Sequence, residues 1–374
     1  MMRDVQQPRS AAASSAEITD KRPVIVPLGG FLGAGKTSLI LASAEILADM
    51  GLRGAAILND QGSDLVDTRW VQSEGVRADQ VSGGCFCCLF SDLIGALERL
   101  EVHAPDVIFA EAVGSCTDIS ATTLQPLKLY HSDKFRVAPY TVLVDPGRAS
   151  EMAANTADPD FAFLFQKQLQ EADLICFSKS DLYLEFPAIP GRNACRLSAQ
   201  TKDGVSAWLN EVLGGSFHAG SRILEIDYGH YARAEARLAW LNCSVSLEVE
   251  EPLSPAMLVG PILDDLDLEL TRGGFQVAHV KITDSTPSGF IRASVVANGA
   301  EPNVSGNLDA SPTCRHELLL NIRAAGDPET LQATVENEFA KLPAGNMQLK
   351  MMQCFRPAPP KPEHRMSEVV KGSF

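Results

Sequence analysis

The eight residues from Gly30 to Thr37, GFLGAGKT, constrain this chain more than any other stretch. They fit the pattern GxxxxGK[ST]. An apolar run, VIVPL, precedes them, and Leu39, Ala42, Ile46, Leu47 and Met50 follow at helical spacing with the small Ser43 on the same face. A strand, a glycine-rich turn and a helix in that order make a phosphate cradle. The glycines let backbone N–H groups turn inward, and the helix presents its positive end to the anion. Candidate contacts are Gly30, Gly33, Ala34, Gly35, Lys36, Thr37 and Ser38. Lys36 is expected to reach the β- and γ-phosphates, and Thr37 to ligate Mg2+.

Short apolar runs alternate with helical patterns as far as residue 213. GAAILND, DVIFAEAV, YTVLVD, DLICFSKSD and ACRLSA read as strands; SDLIGALERL, with Ser91 as its N-cap, and DGVSAWLNEVL read as helices. Alternation of this kind predicts a doubly wound, mostly parallel α/β sheet with ligands at the carboxyl ends of its strands. A different order follows. AWLNCSVSLEV, QVAHVKIT, FIRASVVAN, RHELLLNI and MQLKMMQCF read as strands, and SPAMLVGPILDDLDLEL and DPETLQATVENEFAKL as helices, which is α+β. The expected organisation is a disordered tail over 1–22, a nucleotide-binding domain over 23–213, a linker over 214–235, an α+β domain over 236–355 and a proline-rich tail over 356–374. Two domains suit a chain of 374 residues.

Composition removes several function classes. The formal charge of −15 argues against a nucleic-acid partner, which needs a basic surface. No run approaches the roughly 18 apolar residues of a membrane span. The first 22 residues lack an apolar export core, and the nine cysteines are odd in number, so reduced thiols and a cytoplasmic location are expected.

Two further segments bear on the ligand. Ser178-Lys179-Ser180-Asp181 ends one of the apolar runs. An aspartate there can accept from both N1–H and the exocyclic amine of guanine, a donor pair that adenine lacks. The Lys179 stem would lie over the base, and the loop LSAQTKDG, with Ser198, would sit beside it. GTP is therefore the expected nucleotide, and a phosphotransferase acting on a small molecule is disfavoured. In DVIFAEAVG, a strand delivers Glu111 to its carboxyl end. Glu111 is expected to hold an Mg2+-bound or attacking water, and Gly114 to offer its N–H to the γ-phosphate.

Cys85, Cys87 and Cys88 crowd into four positions after Gly83-Gly84. A turn there would aim three thiolates at one ion, with one tetrahedral position left open, and thiolates select Zn2+, Cu+ or Co2+ over Mg2+. Two other readings stand beside this one: small apolar packing residues, or a redox pair at the Cys85–Cys88 spacing.

Taken together, GGFLGAGKTS, ILNDQGSDLVD, GGCFCC, AEAVG and SKSD resemble the CobW-like family of P-loop GTPases. The resemblance covers residues 23–213 and, more loosely, 236–350. It implies GTP hydrolysis coupled to binding of Zn2+, Co2+ or a related ion at CxCC, and delivery of that ion to a client metalloprotein. It also implies that Asn59, Asp60, Gly62 and Asp67 match a switch segment, with Asp60 standing for the family's glutamate as a catalytic and Mg2+-linked carboxylate. Ser63 and Ser178 depart from the family pattern. A homodimer with facing GTP sites is compatible with the class. The competing expectation is a GTP-gated chaperone or regulator whose cysteines are structural.

Overall fold

The computed structural model describes residues 20–62, 66–154, 158–214, 218–342 and 344–371. Ser63 and Asp64 of the switch segment, and residues 1–19 of the tail expected over 1–22, lie outside the described residues. The first domain is built from β1 (Val24–Gly29), α1 (Lys36–Asp49), β2 (Gly54–Asp60), α2 (Val66–Ser73), β3 (Arg77–Ser82), α3 (Phe90–Glu101) and β4 (Val107–Glu111). It continues through α4 (Gln125–Tyr130), β5 (Arg136–Val137), β6 (Thr141–Val144), α5 (Pro146–Ala153), α6 (Pro159–Glu171), β7 (Leu174–Phe177), β8 (Cys195–Arg196) and α7 (Val205–Leu213). The strands lie in the order β3-β2-β4-β1-β6-β7-β8, with β5 beside β1. Every ladder in this sheet is parallel. Both faces are covered, so β1, buried along its whole length, reads as an unbroken apolar run.

After α8 (Tyr228–Glu235), the second domain comprises β9 (Leu238–Leu253), α9 (Pro255–Arg272), β10 (Gln276–Thr286), β11 (Gly289–Val295), β12 (Asn303–Gly306), β13 (Thr313–Ala325), α10 (Pro328–Phe339) and β14 (Ala344–Phe355). Its six strands run antiparallel in the order β12-β11-β10-β13-β9-β14. The chain is thus a doubly wound α/β domain followed by a smaller α+β domain.

Strand alternation gives the second sheet two unlike faces. Leu241, Val280, Ile282, Ile291, Ala293, Leu320 and Ile322 pack with α9 and α10 in one apolar core. The alternate positions, Asn242, His279, Arg292, Asn321 and Arg323, are polar yet buried. A solvent-facing sheet would expose them. Here that face turns toward the first domain: the Arg323 guanidinium bonds Asp60, and Lys281 pairs with Asp67.

The structure differs from the sequence reading in several places. Met50, expected on the buried face of α1, is 54% exposed because the helix ends at Asp49 and Met50 only caps it. Ile40 and Ala44 are buried instead, since this helix packs on more than one side. Helix α3 begins at Phe90, and Ser91 is inside it rather than its cap. The segment expected as a linker holds α8, capped by the Asp227 side chain. Cys176 and Cys195, expected as reduced thiols, sit in register on β7 and β8 and form a disulfide. The proline-rich segment after β14 runs back over the first domain: Arg365 Nε donates to Asp118 at 2.7 Å, and Met366 N–H to the Ala121 carbonyl at 2.9 Å. Among the described residues, no helix is long and apolar enough to cross a membrane.

Candidate nucleotide and metal site

The phosphate loop leaves the carboxyl end of β1 through backbone that only glycine adopts easily. Gly35 precedes α1 at φ 87°. Gly30 has φ 131°, and a Cβ there would lie 2.4 Å from the Leu143 carbonyl oxygen. The loop opens onto a cleft of about 450 Å3 at the carboxyl ends of the strands, where Gly33 to Ser38, Glu111 and Gly114 meet. A wider hollow of about 940 Å3 on the outer side of α1 includes Ser38 but neither Lys36 nor the loop glycines, so ligand chemistry points to the smaller cleft.

Inside the cleft, Lys36 Nζ donates to the Gly30 carbonyl at 2.8 Å and lies 4.0 Å from Glu111. Thr37 Oγ1 donates to Glu111 Oε2 at 2.9 Å. Burial pulls the Lys36 ammonium below its ordinary pKa against the opposing pull of Glu111. Burial likewise lifts the Glu111 carboxyl, with Lys36 acting the other way. A buried hydroxyl and carboxylate in contact form an oxygen donor set suited to a hard cation.

The base side is more open. Ser178, Lys179 and Asp181 line the cleft. Lys179 adopts φ 53°, and its Nζ donates to Asp145 at 2.6 Å. Tyr183 adds its hydroxyl to the same carboxylate at 2.9 Å. Burial works to raise the Asp145 pKa, but Lys179 outweighs it and holds the group below its ordinary range. Asp181 is exposed on a single 3-10 turn, free to face a base edge. Ser198 is buried behind its neighbours Leu197 and Ala199, and its hydroxyl accepts from Thr201 N–H at 3.1 Å.

The second domain closes this cleft with side chains that sequence reasoning missed. His279, Lys281, Arg292 and Ser294 line it from β10 and β11. Lys281 donates to Asp67, and Arg292 lies 3.6 Å from the same carboxylate and 3.9 Å over the Trp70 ring. Burial pushes Asp67 up, yet Lys281 and Arg292 together keep it ionised below its ordinary pKa. The signal was present as polar residues at every second position of otherwise apolar strands. Asp60 also lines the cleft, but its carboxylate accepts from Arg323 at 2.9 and 3.1 Å. Asp60 thus shares the cleft with Thr37 and Glu111 while its carboxylate is engaged by the second domain.

The cysteines follow β3. Backbone N–H groups of Cys88 and Leu89 donate to the Cys85 carbonyl and fold the segment into a turn. The Sγ atoms of Cys85 and Cys87 lie 2.7 Å apart, those of Cys85 and Cys88 3.5 Å, and those of Cys87 and Cys88 3.7 Å. Three soft donors converging in this way fit a thiophilic ion. Hydrogen bonds from Cys116, Cys87 and Cys88 hold the Cys85 thiol well below its ordinary pKa. The hydrogen bond with Cys85 in turn pushes Cys88 up to about 11, and burial acts the same way. Asn59, at the end of β2, grips this turn. Its Oδ1 accepts from Phe86 N–H at 2.9 Å, and its Nδ2 donates to the carbonyls of Val81 and Gly84 at 3.0 and 2.7 Å. From outside, Lys361 N–H donates to Cys88 Sγ at 3.2 Å and Glu363 N–H to the Cys87 carbonyl at 2.9 Å.

Residues 23–189 match the model of the CobW/HypB/UreG nucleotide-binding domain. The match lies within the first domain, which is similar to the nucleotide-binding domain of that family. A curated relative, the zinc chaperone YeiR of Escherichia coli (strain K12), is 28% identical over 156 residues, which is 41% of this chain and 45% of the relative. The chain thus spans about half the length of the curated relative it matches. Among solved structures, HypB from Helicobacter pylori in complex with nickel aligns with 18% identity and a TM-score of 0.39, covering 52% of this chain and 87% of that one. A zinc-bound triple mutant of the YjiA GTPase aligns with 18% identity and a TM-score of 0.35, covering 86% of this chain and 99% of that one. In the first domain, Cys85, Cys87 and Cys88 lie just beyond β3, beside the strand that carries Asn59 into the cleft.

Proposed function

We propose that this chain is a GTP-hydrolysing metallochaperone. It binds a thiophilic divalent ion, zinc or cobalt, at Cys85, Cys87 and Cys88 and releases it to a client protein as nucleotide is turned over. One observation carries the reading: Asn59 lines the nucleotide cleft and makes two hydrogen bonds to the cysteine turn and a third to the end of β3. A ligand that orders β2 and the switch beyond it must also set the cysteines.

In this reading Lys36 and the loop N–H groups hold the β- and γ-phosphates, and Asp181 selects guanine. Thr37 and Glu111 would hold Mg2+, which neutralises phosphate charge when bound. Glu111 orients water, and Gly114 offers its N–H to the γ-phosphate. The metal is cargo. It enters a cup whose Cys85 is already disposed to ionise, and it displaces the protons of Cys87 and Cys88. A cytoplasmic setting fits the seven free cysteines, whose thiols stay reduced there; the Cys176–Cys195 disulfide runs the other way.

The test is a Cys87→Ser/Cys88→Ser double variant, purified without oxygen. It should bind GTP as the parent does and lose zinc and cobalt. A double variant that still retains the ion, or a parent that binds none, contradicts the metal reading and favours a GTP-gated chaperone with structural cysteines.

A further inference from the structure

Arg292 stands on β11, in the wall that the second domain lays over the cleft, and it is 5% exposed. A guanidinium carries five N–H donors in one plane and stays charged. Burial takes water away from those donors, so they call for partners inside the protein. Arg292 finds few. Its Nη2 lies 3.6 Å from Asp67 Oδ1, beyond hydrogen-bond distance, and its guanidinium covers the Trp70 ring, which is no strong acceptor. Among the described residues its Nε is buried without a partner, and so is Asp67 Oδ1. Lys281 has taken the other oxygen of Asp67.

The local charge points the same way. Asp60 and Asp67, which follow the line of β2, and Glu111, which ends β4, bring carboxylates from the first domain to this part of the cleft. Each has its own cation: Glu111 has Lys36 at 4.0 Å, Asp60 has Arg323 at 2.9 Å, and Asp67 has Lys281. Among the described residues that leaves Arg292 without a carboxylate of its own. A buried cation in that position is costly unless an anion joins it.

The sheet order says which part of a nucleotide that anion is. Asp181 follows β7 and Ser198 follows β8, both on one side of β1. β4, with Glu111, and β2, which leads to Asp67, lie on the other side. The phosphate loop leaves β1 between the two. A nucleotide with its base at Asp181 therefore runs its phosphates toward Glu111 and Asp67, and its terminal phosphate comes nearest to Arg292. β11 is also pressed onto the loop: a Cβ on Gly33 would meet Val296, just past the end of the strand, at 2.5 Å.

We propose that Arg292 binds the terminal phosphate of GTP through its guanidinium. The proposal rests on the GTP reading of this cleft and deepens it. A planar fork of N–H groups matches two phosphate oxygens at once, and GDP leaves that fork unfilled. The second domain thereby senses the nucleotide state by direct contact.

The experiment is calorimetry on the full chain with Mg2+, titrated with the β,γ-imido analogue of GTP and with GDP, for the parent, Arg292→Gln and Arg292→Lys. Glutamine keeps much of the side-chain volume over Trp70, and lysine keeps the charge but loses the fork. Arg292→Gln should weaken the analogue about ten- to hundredfold, the scale of a hydrogen bond to a charged group, and leave GDP affinity as in the parent. Arg292→Lys should fall between the two for the analogue. An equal loss for both nucleotides, or a loss for neither, overturns the proposal while leaving the GTP site in place. Where Arg292→Gln does not fold, Arg292→Lys decides, and parent affinity for the analogue then overturns the guanidinium contact. A parent that binds neither nucleotide overturns the reading of the cleft together with the proposal.

Discussion

Asn59 is one side chain with both its polar atoms spent on the cysteine turn. Replacing it by alanine leaves a buried N–H and two carbonyls short of partners, at about 1–3 kcal/mol for each group left unsatisfied. Asn59→Ala should therefore keep GTP binding and bind zinc more weakly. The difference in zinc affinity between nucleotide states should shrink. Chelator competition in both states measures this, and an undiminished difference would show that the turn is set without β2. Single residues also show where pattern reading stops. The cysteine cluster and the phosphate loop were legible because their chemistry is local. The cap of α3 was not: Ser91 receives its partner from Glu363, 272 residues away, with Oγ donating to the carboxylate at 2.7 Å. An acidic group belongs at a helix N-terminus, but no spacing rule places it there from the opposite end of the chain. The same holds for Asp60, whose pairing with Arg323 crosses between domains.

Strands β10 and β11 supply the closing wall of the cleft. Their strand character was legible in QVAHVKIT and FIRASVVAN, but nothing in the sequence reading said what their polar positions face. Only the structure shows them buried over Asp67 and the phosphate loop, where a Cβ on Gly33 would meet Val296 at 2.5 Å. Strand β3, RADQVS, escaped notice for a related reason. It is an edge strand carrying charge, and its pairing with β2, not its own hydrophobicity, holds it. Lys281 and Arg292 place two cations beside the cleft proposed to hold phosphate, paired with Asp67. Arg292→Ala should slow GTP hydrolysis by on the order of a hundredfold, the usual scale for losing a preorganised charge at a transition state. Thermal melting of the variant checks that the fold persists. Unchanged turnover would mean that these residues serve domain packing alone.

At the scale of the whole molecule, two parts of the chain converge on the cysteine turn. The first domain presents it from β3 and grips it through Asn59. The stretch after β14 covers it through Lys361 and Glu363 and is anchored by Arg365 on Asp118. The two-domain order was legible from strand–helix alternation followed by an α+β order. The folding back of the proline-rich segment was not, because its contacts are mostly backbone groups and isolated side chains without a periodic signature. The account makes nucleotide and metal two ligands of one coupled structure. By linkage, each must then change the affinity of the other by the same factor. The most direct measurement is a zinc titration under a competing chelator of protein loaded with a non-hydrolysable GTP analogue or with GDP. The predicted result is a difference in zinc affinity between the two states of about 5–150-fold, the usual range of such couplings. Equal affinities in the two states would contradict the account.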